Sequence, residues 1–396
     1  MPQKERHKSK MHTSESPTRH GLYIHIPFCK SRCIYCGFFS TTSHDMRQQY
    51  IDAICHEIEL RRCEQLGTVY IGGGTPSLLN QEHLLQLFGT IKAVYPESLS
   101  SSIEVTIECN PDDITDKFAT FLSTLPVNRV SMGVQTFSND RLRFLQRRHN
   151  AQQAHHAIEL LKTNGIENIS IDLMFGFPQQ TLEEWNRDIY EALSLHVPHI
   201  SAYSLMFEEG TPLFHLLKQG VIHEIDDNDY IRMYDGLVTI LRDAGYEHYE
   251  ISNFALPGKR SIHNSNYWDD IPYIGIGASA HSYVNHHRQW NIPDLRQYID
   301  SIRQNIIPAE FEEIDPTTHY NDMITTRLRT ADGINLRRLR EEQGTIYYDY
   351  LMKNATLSIE TGLLKIEKGH LHLTLEGIHV SDMVMSELVM LKNDRS

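Results

Sequence analysis

The sequence predicts an α/β protein: a partial, TIM-like (β/α)6 barrel followed by a smaller C-terminal α+β unit of winged-helix character. Three observations carry that prediction. Strand-like and helix-like periodicities alternate six times between residues 21 and 205, the pattern of parallel strands joined by right-handed crossovers. Polar residues recur just after those strands, at the barrel end that carries chemistry in such folds. Three cysteines, Cys29, Cys33 and Cys36, stand at C-x3-C-x2-C spacing in the loop after the first strand.

Leu22 to Ile26 reads as a buried strand, stopped by Pro27, which cannot donate to a ladder. A helix is expected over 46–66, where Ile51, Ile54 and Ile58 share an apolar face with Cys55, read as a core residue. Thr68 to Ile71 is a short strand that runs into Gly72-Gly73-Gly74-Thr75-Pro76. After a helix over 80–95, Ile103 to Glu108 alternates as a strand and meets Cys109-Asn110-Pro111. A helix over about 113–124 precedes the strand Arg129 to Val134, which ends at Gln135, and helices follow to Lys162. Asn168 to Leu173 is a strand with Asp172 near its end; a helix over 181–194 leads to the strand Ile200 to Leu205 and Met206. Residues 229–245 read as a helix and Tyr246 to Ile251 as a strand. Gly275 and Gly277 permit close backbone approach but lack the G-x-G-x-x-G register of a dinucleotide site. From about 310 the pattern changes to short helices, a hairpin-like pair at Gly362–Ile366 and His370–Thr374, and a terminal helix. The expected division is a disordered lead-in at 1–20, a barrel at 21–255, a connecting segment at 256–309 and a C-terminal domain at 310–396.

Bulk properties exclude several functions. A net charge of -14 disfavours nonspecific nucleic-acid binding, even with a winged-helix-like unit, because that binding rests on Lys and Arg neutralising phosphates. No apolar run is long enough to span a bilayer, and the basic, polar N-terminus has no apolar core of a secretory signal. Six cysteines in 396 residues are too sparse for a disulfide scaffold and fit a reducing cytoplasm.

Three thiolates this close cannot all pair as disulfides, but they can converge on one soft metal centre. A closed zinc site needs four protein ligands, and an ordinary iron–sulfur cluster four cysteines. A 4Fe–4S cluster held by three leaves one iron open to a small chelator, such as an amino acid's amine and carboxylate. The alternatives are three small core residues or a zinc site completed by a histidine; three cysteines within eight residues of one loop after a strand speak against both. Taken singly, the other polar residues have ordinary readings. The three glycines could be turn residues, and Glu108 a helix cap or a surface charge.

From about Tyr23 onward the chain resembles the HemN/HemW family of radical SAM proteins. The motifs are Tyr-Ile-His-Ile-Pro-Phe-Cys (23–29), the cysteine triad, Gly-Gly-Gly-Thr-Pro (72–76), Glu-Cys-Asn-Pro (108–111), Ser-Met-Gly-Val-Gln-Thr-Phe (131–137), Ile-Asp-Leu-Met-Phe-Gly-Phe-Pro (171–178) and Gly-Ile-Gly-Ala-Ser-Ala-His-Ser (275–282). The family has an oxygen-independent coproporphyrinogen III oxidase branch and a haem-chaperone branch that lacks that activity. Three features favour the chaperones: Phe38 where the oxidases carry a fourth cysteine, a short N-terminal extension, and His-Asn-Ser-Asn-Tyr-Trp (263–268), which looks like the chaperones' H-N-x-x-Y-W signature. One residue departs from that branch: Gly37 stands where it usually has Asp.

The resemblance implies a radical SAM barrel in which Cys29, Cys33 and Cys36 hold a 4Fe–4S cluster. It implies a first S-adenosyl-L-methionine (SAM) site at Tyr23, Tyr35, Gly73, Glu108 and His281. Gly74, Thr75, Gln135, Arg147, Asp172 and Met206 match a second SAM site. Reductive cleavage of the sulfonium would give a 5′-deoxyadenosyl radical. Haem, or another porphyrin, is the implied cargo, respiratory proteins the implied recipients, and the cytoplasm the implied compartment, with peripheral membrane contact compatible. Haem iron takes an axial His, Cys, Met or Tyr; His263 is the candidate here, followed by His281 and His25.

Overall fold

The computed structural model describes residues 19–63, 65–99 and 103–391. Most of the expected lead-in therefore lies outside the described residues, while Arg19 and His20 already belong to a strand, paired with Gln65 and Leu66. Six parallel strands lie side by side in chain order: β1 (Arg19–Ile26), β2 (Gln65–Gly73), β3 (Glu104–Cys109), β4 (Arg129–Gln135), β5 (Ile169–Phe175) and β6 (His199–Ser204). Each follows the two-residue side-chain period. One set, including Leu22, Ile24, Val69, Ile71, Val105, Ile107, Val130 and Ile171, is buried in a single apolar core with the surrounding helices. The other set is polar: Tyr23 and His25, Thr68 and Tyr70, Thr106 and Glu108, Ser131, Asp172 and Ser201. Parallel barrels normally fill their interior with branched apolar residues, so a polar inner face marks a chamber built to hold something polar.

Helix starts are written locally. Asn150 with Gln153 and Thr181 with Glu184 form capping boxes on the helices Ala151–Thr163 and Leu182–Ser194. The first helix is shorter than the periodicity suggested. It runs Arg47–Leu60, because β2 begins at Gln65 and Arg61 turns its guanidinium onto the Gly275 carbonyl at 2.7 Å.

The sheet does not end where the sequence pattern weakens. The expected strand at 246–251 is a tight pair, β7 (Glu247–Glu250) and β8 (Asn253–Ala255), added antiparallel to β6. The segment read as a connection supplies β9 (Tyr273–Ile276), parallel to β1, then β10 (His281–Val284) and β11 (His287–Asn291). Asn285 and His286, both at positive φ, turn that last hairpin. Gly275 is obligatory: a Cβ there would overlap the His281 carbonyl. The twelfth strand, β12 (Ala309–Glu313), pairs with β11, so the sheet runs past residue 310.

Glu57, fully buried, ties this edge to the first helix. Its carboxylate accepts from Gly277 N at 2.8 Å, Tyr298 OH at 2.5 Å, Asn291 Nδ2 at 2.8 Å and Arg61 Nη1 at 3.2 Å.

A second core begins at Tyr320 and gathers Ile324, Leu351, Leu371, Val384 and Leu388. Its three-stranded antiparallel sheet is β13 (Ile334–Asn335), β15 (His370–Leu373) and β14 (Leu364–Glu367), in that order. Ion pairs tie it to the barrel unit: Arg327 with Asp269, His319 with Asp270 at 2.9 Å, and Arg288 with Asp322.

Removing the Glu57 carboxylate orphans several buried donors. Glu57→Ala is therefore expected to lower unfolding stability by on the order of 3 kcal/mol or more. A urea denaturation within about 0.5 kcal/mol of the parent, the range of neutral surface changes, would contradict that role.

Candidate functional site

The cysteine loop is pinned at the C-terminal end of the parallel strands. Phe28, fully buried, anchors its start; Cys29 N donates to Thr41 O at 2.9 Å, and Ile34 N to Leu145 O at 3.3 Å. All three thiols are free and partly buried. Burial pushes the Cys29 and Cys36 thiols up; Cys33 adds to both shifts, and Cys29 to that of Cys36. At Cys29 the hydroxyl of Thr75, whose Oγ1 donates to Sγ at 3.6 Å, and the Arg147 guanidinium work against the shift; Arg147 Nη1 also reaches Cys33 Sγ at 3.6 Å. A guanidinium beside a thiol favours the thiolate that metal coordination requires.

Two glycines make the next strand fit under this loop. Gly74 donates to Ile26 O at 2.7 Å, and a Cβ on it would stand 2.9 Å from Cys29 Sγ. Gly73 sits at φ +112, where a Cβ would meet the His25 ring at 2.7 Å. Its N–H donates to Glu108 Oε2 at 3.0 Å, and Tyr70 OH donates to Glu108 Oε1 at 2.8 Å. Burial still raises the Glu108 carboxyl to about 7. Asp172 is raised to about 6 by burial, with Arg129 and the hydroxyls of Ser201 and Ser131 pulling it down. His25 donates from Nε2 to Phe39 O at 3.0 Å and accepts from Tyr23 OH at 3.0 Å; burial keeps it neutral.

The remaining expected residues divide between the chamber and its rim. Arg147 Nη2 donates to Asn110 Oδ1 at 2.7 Å and Gly133 O at 2.6 Å. Gln135, at φ +69 beyond a bulge in β4, folds its amide over Gly133. Tyr35 interacts with Arg147 and with the Cys33 and Cys36 thiols, its phenol pushed up chiefly by burial. Met206 is 60% exposed, and His281 is exposed and stacked on Trp290.

Sequence reasoning missed two residues of this chamber. Asn110 bridges Arg147 to Thr75, donating to Thr75 Oγ1 at 3.3 Å. Arg129 is 1% exposed with Nε and Nη1 unpartnered; its only signal was an arginine opening an otherwise apolar strand.

His263 lies at the other end of the barrel. Glu104, on β3, accepts from the backbone N–H groups of Ile262 at 3.0 Å and His263 at 2.9 Å, seating the helix Ile262–Trp268 against the strand starts. The His263 ring is 1% exposed and stacks on Tyr70 with centroids 5.0 Å apart. Nδ1 bonds Thr68 Oγ1 at 2.7 Å and Nε2 bonds Tyr267 OH at 2.9 Å, so neither nitrogen is open to an iron. Burial lowers its pKa to about 3. The same helix presents Tyr267 and Trp268 to a cleft of about 390 Å³ against the C-terminal unit.

Among the described residues no three His, Cys, Asp or Glu side chains gather tightly enough for a single metal ion. A cubane does not ask for that, since each thiolate binds a different iron. The donor set fits such a cluster, with three thiols in one loop and one iron left without a protein ligand. The chamber beside it fits a polar, partly cationic molecule. It offers a floor closed to any Cβ, two buried carboxylates, and unpartnered polar atoms at Thr106 Oγ1, Arg147 Nε and Arg129.

Comparison with known proteins agrees with this architecture. The sequence profile of the Radical SAM superfamily matches residues 23–189, and that of the HemN C-terminal domain matches residues 314–380. Heme chaperone HemW of Lactococcus lactis is 33% identical over 371 residues, 93% of this chain and 97% of that protein. Heme chaperone HemW of Bacillus subtilis is 34% identical, covering 90% of this chain and 95% of that one. The solved structure of coproporphyrinogen III oxidase (HemN) from Escherichia coli superposes with a TM-score of 0.82 at 19% identity, over 96% of this chain and 92% of that one, which establishes the shared fold.

Anaerobic reconstitution is expected to load about four irons and four sulfides per chain, and Cys33→Ala to lose them. Iron and sulfide analysis of the two proteins checks this; full cluster content in the variant would remove the triad from the site.

Proposed function

The chain belongs to the HemW family of heme chaperones within the Radical SAM superfamily, and from that premise we propose that it binds haem and hands it to recipient proteins. The observation that carries the reading is the near-complete coverage of the Lactococcus lactis heme chaperone, 97% of its length at 33% identity. The cofactors are a 4Fe–4S cluster and SAM. When bound, the cluster supplies an electron to the sulfonium of SAM.

The chain's own residues divide the rest. Cys29, Cys33 and Cys36 hold three of the irons. Tyr23, Tyr35, Gly73, Glu108 and His281 surround the SAM bound there, with Glu108 available as acceptor for its ammonium or ribose hydroxyls. Gly74, Thr75, Gln135, Arg147, Asp172 and Met206 form a second set suited to another SAM molecule. In domain terms, the barrel and its added strands carry the cofactors, and the unit built around the second core handles cargo or partner.

The competing activity is decarboxylation of coproporphyrinogen. Phe38, 70% exposed beside the triad, stands where that branch has a fourth cysteine. Recipients are taken to be haem-containing respiratory proteins met in the cytoplasm or at the membrane surface. Among the described residues no helix is long and apolar enough to cross a membrane.

The deciding assay supplies coproporphyrinogen III, SAM and a reductant without oxygen. No protoporphyrinogen is expected, while the same preparation should take up haem in an absorbance titration. Sustained decarboxylation would replace the carrier reading with the oxidase.

A further inference from the structure

We infer that the haem cargo lies in the cleft between the helix Ile262–Trp268 and the C-terminal unit, with His319 rather than His263 as its iron ligand. The inference rests on the haem-carrier reading above and assigns the site for it.

The cleft's shape and chemistry suit a flat, largely apolar ring with charged ends. Tyr267, Trp268, Tyr273 and Tyr283 supply aromatic walls, and Met323 and Leu339 face them from the C-terminal unit. Its volume, about 390 Å³, falls within the range of sites that hold cofactor-sized ligands, roughly 300–1,000 Å³. Trp268 Nε1 is buried there with no partner.

His319 is held as a metal-binding imidazole is held. Nε2 bonds Asp270 Oδ2 at 2.9 Å, the His286 ring stands edge-on to it with centroids 5.4 Å apart, and among the described residues Nδ1 makes no hydrogen bond. A carboxylate behind one ring nitrogen fixes the ring and raises the basicity of the other, the usual arrangement behind a ligating histidine. By contrast His263, sealed between Thr68 and Tyr267, would have to give up a buried hydrogen bond to bind anything.

The ends of a haem carry two carboxylates, and the cleft has guanidiniums with donors to spare. Arg338 uses only Nε on Glu342, at 2.9 and 2.8 Å, and Arg327 uses Nη1 on Asp269. Each guanidinium has five N–H donors, so a propionate can share it without displacing the existing pair. Those pairs also keep the cleft near neutrality, which disfavours small polyanions and leaves the aromatic body of the ligand as the main source of affinity.

The test is a titration of the full-length protein with haemin and, separately, with metal-free protoporphyrin IX, whose ring has no iron to ligate. His319→Ala is expected to weaken haemin binding by at least about 10-fold and change its Soret spectrum, with added imidazole restoring both. Protoporphyrin affinity should be unchanged. His319→Gln, which retains an N–H donor for Asp270, should behave as the alanine variant does, separating ligand loss from loosening of the two units. Thr326→Trp, filling the cleft, should block both porphyrins while cluster content and circular dichroism stay as in the parent. Haemin affinity and spectrum unaltered in both His319 variants would overturn the ligand assignment while leaving the haem-carrier reading intact. Both porphyrins binding normally to Thr326→Trp would overturn the cleft itself. Absence of haemin binding by the parent protein would sink the carrier reading, and this inference with it.

Discussion

The cofactor end of the molecule depends on the seating of the cysteine loop on the glycines that end β2. At Gly74 the Cys29 sulfur and the Phe28 carbonyl both stand 2.9 Å from where a Cβ would be. The two segments meet there because nothing protrudes. From that contact the rest of the cofactor end is built outward. Gly73 N reaches Glu108, Glu108 holds Tyr70, Thr75 touches both Cys29 and Asn110, and Asn110 receives Arg147. Substituting either glycine would separate β1 from β2 at their C-terminal ends, where every later element takes its position.

The polar inner face has an electrostatic consequence. Glu108 and Asp172 are buried carboxyls raised to about 7 and about 6. A carboxyl whose folded pKa is raised contributes stability at low pH that is lost as pH climbs through the raised value. For these two the loss runs from their ordinary range, near pH 4, up to about 7. A cationic ligand reverses the cost, because it favours the ionised forms that the buried chamber opposes. Filling the chamber therefore both stabilises the fold and fixes the charge state of its lining.

What the sequence made legible follows from how each feature is encoded. The six parallel strands are apolar on their outer set and bounded by Pro, Gly or Asn, so their order and their C-terminal residues could be read directly. The cysteine spacing carried its chemistry in one loop. The strands β9 to β12 could not be read. They are four or five residues long, and β10 to β12 are rich in His, Arg, Gln and Glu. They are strands only because β1 and its neighbours offer open edges to pair with. Asn110 sat inside a motif but gave no sign that it would bridge a threonine to an arginine. His319 gave none at all. It lies in a helix among threonines and tyrosines, 49 residues from the aspartate that orients it (319 minus 270), and only folding joins them.

The two ends of the barrel are connected by a continuous set of contacts. Tyr267, on the cleft wall, hydrogen-bonds His263; the His263 ring lies on Tyr70; the Tyr70 hydroxyl donates to Glu108; and Glu108 accepts from Gly73 beside the cysteine loop. Every member is largely buried. On the assignment of the cleft to haem, cargo and cofactors occupy opposite ends of one polar column rather than a shared pocket. His263 then has a role that needs no iron. It packs between the cleft wall and the column, so a ligand pressing on Tyr267 bears on the ring that positions Tyr70. Both of its nitrogens being used is what makes it a strut, and a histidine serves there because it offers two hydrogen-bonding edges and a flat face at once.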